Sequence, residues 1–197
     1  MSPRTATVSR KTAETSLTIV LNLDGSGRFE TDTGIGFLDH MLSHIAKHGV
    51  FDLDVRGVGD LHIDQHHTVE DCGIALGEAF AQALGDKAGL VRAGSAYMPL
   101  DEALAFAAVD LSGRPYAALD LKLLGREIGG MPPDLFDHFL ESFAFAAKMN
   151  LHVRTLAGVN DHHKVEACFK AMARALDAAV RVDPRRWGDL PSTKGAL

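Results

Sequence analysis

Cysteine is scarce in this chain, with only Cys72 and Cys168 in 197 residues. Two thiols exclude a disulfide framework and favour a reducing compartment, expected to be the cytoplasm. Long apolar runs are missing as well. The longest, ALAFAAV at residues 103–109, falls far short of the roughly 20 residues that a membrane-spanning helix needs. The opening MSPRTATVSRKTAET has no apolar centre, which argues against a secretory signal. A basic excess is also absent: Lys and Arg total 20 against 26 Asp and Glu, a net charge of −6. No broad basic face is therefore expected, and nucleic acid is not an expected partner. The rest of the composition, 46% hydrophobic and 23% charged, excludes a disordered tail, a collagen-like rod and a coiled coil. A chain of this length can hide roughly 70% of its unfolded surface, so a sizeable core is expected. What stands in excess is histidine, with ten residues. That surplus points to metal or proton chemistry, provided the histidines cluster.

They cluster in duplicate. HHTVEDC at residues 66–72 recurs as HHKVEAC at 162–168, an offset of 96. Upstream, LDHMLSHIAKHGVFDLDVR at 38–56 aligns with FDHFLESFAFAAKMNLHVR at 136–154, an offset of 98. The two-residue difference falls in the loop around residues 57–64. NLDGSGR at 22–28 resembles DLSGR at 110–114 more weakly. Three ordered recurrences imply a tandem duplication of a unit of about 90 residues, too long and too few for a solenoid. The repeats span about 10–88 and about 99–182, with residues 89–99 joining them and a C-terminal tail at 183–197. With no low-complexity linker between them, the copies are expected to form one catalytic body.

Each copy reads as strands followed by helices. SLTIVLNL and GRFET flank DGSG, a hairpin turn signal, and ALAFAAVDL, SGR and YAALDLKLL repeat the arrangement. Apolar residues at helical spacing place one helix at 39–48 and its counterpart at 137–148. Short strands follow at 53–56 and 151–154. Alanine-rich helices are expected at about 68–84 and 165–180. The expected fold class is α+β: two tandem β-sheet-plus-helices half-units, split β-α-β-like, packed as one body.

The recurring HHxxE string opens a helix. His66 and Glu70 are four apart and share a face, so both can chelate one ion. His67 is rotated by about 100° and points elsewhere. The second copy repeats this with His162, Glu166 and His163. The duplicated Asp-His pairs add His40 and His138. Six imidazoles and two carboxylates, without thiolate, favour Mn, Fe or Zn over a thiolate-type structural zinc site. Cys72 and Cys168 lie off the ligand face and read as small core residues. The same ligands would also suit a dinuclear phosphate-ester hydrolase, betrayed by released inorganic phosphate, or a metal-storage or metal-sensing module without turnover.

The strings FLDHMLSH, DQHHTVED, NDHHKVE and STKG, with AET near the start and VRAGSAYMPLDEAL in the middle, resemble the imidazoleglycerol-phosphate dehydratases over residues 10–195. The resemblance implies a lyase of L-histidine biosynthesis, which dehydrates D-erythro-imidazole-glycerol phosphate to imidazole-acetol phosphate. It implies two Mn2+ ions per active site that bind the substrate ring as imidazolate. One ion would take His40, His67, His162 and Glu166, and the other His66, Glu70, His138 and His163. It also implies a homo-oligomer, a 24-mer built from trimers, with sites between subunits. The phosphorylated imidazole substrate would meet Arg92, Arg114, Ser192 and Lys194, together with His48 and Lys170. Arginine forks and lysine suit phosphate oxygens. Roles for Ser192 and Lys194 require the tail to be ordered over the site. Glu14, in the AET motif, is the expected acid–base residue, with Glu102 of the second repeat a weaker candidate. His44 shares the His40–His48 stripe with its role open, and His62 and His152 are given none.

Overall fold

The computed structural model describes residues 3–186 and 188–195. Two four-stranded mixed sheets are each covered by helices. The first half contains β1 (Thr5–Lys11), β2 (Thr15–Asn22), β3 (Phe29–Asp32), α1 (Gly36–Gly49), β4 (Asp52–Gly59) and α2 (His66–Leu84). The second repeats the series as β5 (Ala93–Leu100), β6 (Ala103–Asp110), β7 (Tyr116–Asp120), α3 (Asp134–Ala146), β8 (Asn150–Ala157) and α4 (Asp161–Val180). Strand orders are β1-β2-β4-β3 and β5-β6-β8-β7. The duplicated α+β half-unit read from the sequence is thus present in the fold.

Alternation makes the central strands. Leu17, Ile19 and Leu21 of β2 point inward, as do Ala105, Ala107 and Val109 of β6, with partly exposed or exposed residues between them. The helices fill the space between the sheets: α2 lies on β1 and β2, α4 lies on β5 and β6, and the halves meet where α2 packs on α3 and α1 on α4. One hydrophobic cluster runs through both halves. Phe80 of α2 sits edge-on to Phe51 and to Phe143 of α3, each at 5.3 Å between ring centres. The small residues of α2 permit this contact. A Cβ on Gly77 would lie 2.6 Å from the Phe143 carbonyl oxygen, and one on Gly73 2.8 Å from that of Phe139. Among the described residues no helix is long and apolar enough to cross a membrane.

Two local expectations fail. DGSG does not close a hairpin between β2 and β3: β4 lies between them, antiparallel to β2 and parallel to β3. The loop instead wraps around Asp52, whose Oδ1 accepts the amides of Ser26 at 2.8 Å and Arg28 at 3.1 Å. A Cβ on Gly25 would lie 2.2 Å from the Asp52 nitrogen, so glycine there serves a close approach and not a tight turn. β7 repeats the placement, parallel to β8. The stretch read as joining the copies carries β5, which pairs with β6 from Ala93↔Asp110 to Leu100↔Ala103.

Candidate metal centre and active site

The N-termini of α2 and α4 carry the adjacent histidines. Asn160 caps α4, its side-chain oxygen accepting the backbone N–H of His162 at 2.9 Å and of His163 at 3.4 Å. In α2 the His66 amide donates to Asp64 at 2.8 Å. Within each pair the rings stand nearly perpendicular, 87° for His66 and His67 and 88° for His162 and His163. Neighbouring histidines therefore face different ways, as a helical turn requires.

Two trios of ligand-type atoms converge. His40 of α1, with His162 and Glu166 of α4, forms the first; His66 and Glu70 of α2, with His138 of α3, forms the second. Each trio joins a helix of one repeat to a helix of the other, so the contacts between α1 and α4 and between α2 and α3 set its geometry. In the first, Glu166 Oε2 lies 3.4 Å from His40 Nε2 and 3.3 Å from His162 Nε2. In the second, the His66 and His138 rings stack with centres 4.5 Å apart, and His138 Nε2 stands 3.6 Å from Glu70 Oε1. His138 Nε2 is buried and without a hydrogen-bond partner. A buried imidazole nitrogen aimed at a carboxylate but too far to bond it suits a cation between them. Nitrogen and oxygen donors alone suit Mn, Fe or Zn.

The first trio holds more than its ligand atoms. Glu166 Oε1 receives a hydrogen bond from Lys170 and lies 3.2 Å from His44 Nε2. Burial opposes charge on Glu166, but the Lys170 hydrogen bond, His44 and His40 together hold its carboxyl at about 2. Burial pushes His44 down to about 4, further helped by His40, Lys170 and His48, against the pull of Glu166. His44 is thus a neutral imidazole at the centre of the cluster. The i, i+4, i+8 stripe was the signal for it in the sequence.

His67 and His163 join neither trio. His67 turns Nδ1 to Asp60 Oδ2 at 3.0 Å, with Nε2 3.7 Å from Glu14 Oε1. His163 turns Nδ1 to Glu102 Oε2 at 2.8 Å. Glu14 sits on a braced turn: its amide and that of Thr15 donate to Thr12 Oγ1 at 3.1 and 3.0 Å. Thr15 in turn donates to Asp71, which also receives Arg10 Nε at 2.7 Å, tying this turn to α2. Nothing in the sequence singles out Asp60 or Asp71, because isolated aspartates in loops and helices are common and only the fold brings these two to His67 and Thr15.

The expected phosphate-binding residues gather elsewhere. Arg92 grips Asp110 through two bonds of 2.7 and 3.0 Å and donates to the Pro191 carbonyl at 2.6 Å. Its amide bonds Ala179 near the end of α4. Arg114 and Lys194 are exposed, and the Lys194 amide donates to Ser192 Oγ at 3.2 Å. From Ala179 back to His162 the helix rises about 25 Å at about 1.5 Å per residue. One chain therefore carries its ligand trios at one end and this cation group, with the tail, at the other. His48 and Lys170 lie on the trio side, where Lys170 bonds Glu166 and the His48 ring lies tilted beside that of His44, 5.5 Å between ring centres.

A duplicated α+β frame that sets two matched His–His–Glu trios between its halves defines a candidate two-metal enzyme of the histidine–carboxylate kind. The family model described as imidazoleglycerol-phosphate dehydratase matches residues 33–176. The Roseiflexus sp. (strain RS-1) imidazoleglycerol-phosphate dehydratase is 57% identical over 196 residues, covering 100% of this chain and 98% of its own. That of Methylobacterium radiotolerans is 54% identical over 194 residues, covering 98% of this chain and 100% of its own. Among solved structures, the enzyme from Pyrococcus furiosus superposes with TM-score 0.83 at 35% identity, covering 96% of this chain and 100% of its own. The Staphylococcus aureus enzyme gives TM-score 0.82 at 34% identity, covering 91% and 99%. The chain belongs to the imidazoleglycerol-phosphate dehydratase family, hydro-lyases of histidine biosynthesis.

Proposed function

We propose that the two trios are halves of a dinuclear manganese centre, completed and supplied with substrate contacts by neighbouring copies of the chain. The observation that carries this is the mismatch within a single chain. His67 and His163, expected as the fourth ligands, point away from both trios, and the expected phosphate cations lie about 25 Å from His162 along α4. A homo-oligomer, expected as a 24-mer, removes both mismatches: His67 of one copy joins the His40–His162–Glu166 trio of another, and His163 joins the His66–Glu70–His138 trio. Exposed apolar side chains beside the helix N-termini support a covered surface there. Leu124 is 87% and Val159 86% exposed, with Ile63 just ahead of α2. The ordered tail, with Ser192 and Lys194, then closes over a neighbour's site and not its own.

In this reading the substrate is D-erythro-imidazole-glycerol phosphate and the product imidazole-acetol phosphate. Bound in the trios, the two ions would act as Lewis acids toward the nitrogens of the substrate imidazole. The chain's own groups do the rest. Arg92, Arg114, Ser192 and Lys194 hold the phosphate, the arginines by paired N–H donors. Arg92 is already oriented by Asp110. Lys170 and His48 line the substrate side of the first trio. Glu14, fixed by Thr12 and facing His67, takes the carbon-bound proton and passes it to the departing hydroxyl, and the enol O–H proton is then exchanged for one on the carbon that lost that hydroxyl as the ketone forms. The neighbouring hydroxyl leaves as water and the phosphate stays attached. The buried free thiols suit the cytoplasm.

The test is to strip metal with a chelator and assay acetol-phosphate ketone before and after adding back Mn2+. Loss and recovery of ketone, without inorganic phosphate, is the expected result. Phosphate release, or full turnover in metal-free protein, contradicts the reading.

A further inference from the structure

Glu14 and Glu102 occupy equivalent places in the two repeats. Each precedes an inward-alternating strand, Thr15, Leu17, Ile19 and Leu21 in β2 against Ala103, Ala105, Ala107 and Val109 in β6. Each also faces the second histidine of its helix, His67 or His163. Their contacts differ. His67 Nδ1 is bound by Asp60, and Glu14 stands 3.7 Å from Nε2 on the far side of the ring. His163 Nδ1 is bound by Glu102 itself, at 2.8 Å. The cause lies at the end of the fourth strand of each sheet. Leu53 and Val55 of β4 match Leu151 and Val153 of β8, but a register shift in β8 beyond Ala105↔Thr155 adds one residue. Gly59, which pairs with Thr15, therefore corresponds to Gly158, which lies against Ala103, and Asp60 corresponds to Val159. Gly158 has φ +139°, and a Cβ there would lie 3.0 Å from both Ala103 Cβ and Lys164 Cγ. The residue that follows, Val159, is exposed and offers His163 no carboxylate. Glu102 reaches across from the β5–β6 turn instead, and its other oxygen accepts the amides of Val159 at 3.2 Å and Asn160 at 2.8 Å, just before α4.

We infer that the duplication has split the two glutamates between jobs: Glu102 is a positioning residue that holds His163 as its Nδ1–H tautomer with Nε2 presented outward, leaving Glu14 for proton transfer. A carboxylate accepts only, so the nitrogen facing it must carry the proton, and the lone pair then sits on Nε2. Asp60 does the same for His67. Glu102 is less available than Glu14 to take a substrate proton, because three of its about four acceptor sites already bind an imidazole and two backbone amides. This assignment rests on His163 being a metal ligand, as proposed above.

The isosteric Glu102→Gln separates shape from tautomer. Its carbonyl still accepts the Val159 and Asn160 amides, while its NH2 now donates toward His163 Nδ1 and moves the ring proton to Nε2. The probe is Mn2+ added to metal-free protein, with affinity read from the EPR signal of the free ion and tautomers from ring 15N shifts. We expect Glu102→Gln to bind Mn2+ about 10–100-fold more weakly with His163 in the Nε2–H form. Glu14→Gln should bind Mn2+ as the parent does. In the unsubstituted protein His163 should already be the Nδ1–H tautomer, a reading that needs no variant to fold. Parental affinity in Glu102→Gln, or an Nε2–H form in the parent, overturns the inference. His163→Ala distinguishes the failures. If it binds Mn2+ as the parent does, the ligand assignment falls; if it binds weakly while Glu102→Gln does not, only the role of Glu102 falls.

Discussion

A carboxylate's task is set by which atoms of its neighbours it meets. Glu166 is surrounded by imidazoles and a lysine, which hold it ionised and suit it to a ligand role. Asp60 faces an Nδ1 and governs a ring it leaves otherwise free. Glu14 meets only the open side of His67, at a distance that leaves its oxygens available. Proton transfer by a positioned group contributes roughly 10²–10⁴-fold to rate. Glu14→Gln is therefore expected to lower kcat by about 10²–10⁴-fold with KM little changed and metal content intact, since an amide keeps the shape but cannot take the proton. Steady-state kinetics with metal analysis checks this, and a variant of parental kcat would remove Glu14 from the chemistry. The ligand types and their i, i+4 spacing were legible in the sequence because a helix converts spacing directly into direction. The partners of the ring nitrogens were not, since Asp60 meets His67 through a loop and Glu102 meets His163 only after β6 and α4 have packed.

At the scale of elements, helix contacts carry the site. The second trio takes two side chains from α2 and one from α3, so the distance between those helices is the distance between its ligands. Gly77 keeps it short. Gly77→Ala would gain about 1 kcal/mol of helix propensity. The new Cβ, however, meets the Phe143 carbonyl and Ala146 Cβ at 2.6 Å and the Ala147 nitrogen at 2.8 Å, and backbone atoms cannot turn aside. Overpacking of this kind costs about 1–3 kcal/mol, and with the helix backbone as the obstacle the clash wins. The urea midpoint should fall and Mn2+ binding should weaken; a higher midpoint would show that α2 and α3 part without cost.

The buried thiols in α2 and α4 give a pH signature. Burial pushes Cys72 up to about 12 and Cys168 up to about 11 from an ordinary value near 9. Above pH 9 the unfolded chain releases these protons and the folded chain keeps them, so stability falls as pH rises toward 11–12 and is untouched below 9. Each thiol contributes about 1.4 kcal/mol per pH unit in that window. Urea melts between pH 8 and pH 10.5 should show this slope, and Cys72→Ala with Cys168→Ala should flatten it; an unchanged slope would mean that other groups dominate.

The elements were unevenly legible. Central strands and all four helices announce themselves by period, because one face of each is buried. The edge strand β5 alternates between exposed and half-exposed residues and includes Gly94 and Pro99, so AGSAYMPL resembles a linker until it is seen against β6. The parallel pairing of β3 with β4 was hidden behind a glycine turn signal, because local turn chemistry says nothing of a strand that inserts later in the chain.

For the whole molecule, the sequence duplication gives two equivalent halves, and the fold turns them face to face so that every trio draws on both. What a single chain does not achieve is to bring its ligand end and its cation end together, separated as they are by the length of α4. The recurrences in the sequence showed the two halves, but a surface completed by other copies leaves no periodic mark in one chain.

The central claim, that one copy's trio works with another copy's cations, is tested by mixing two inactive variants. Arg92→Ala removes the cation end and Glu166→Gln the ligand end, and each alone should be inactive or nearly so. Co-assembled in equal amounts from denaturant, they should regain dehydratase activity at about one quarter of the parent's level, since random mixing pairs an intact trio with an intact cation end at that frequency. Activity no greater than the sum of the two variants alone would mean that each chain supplies its own site, and would contradict the account.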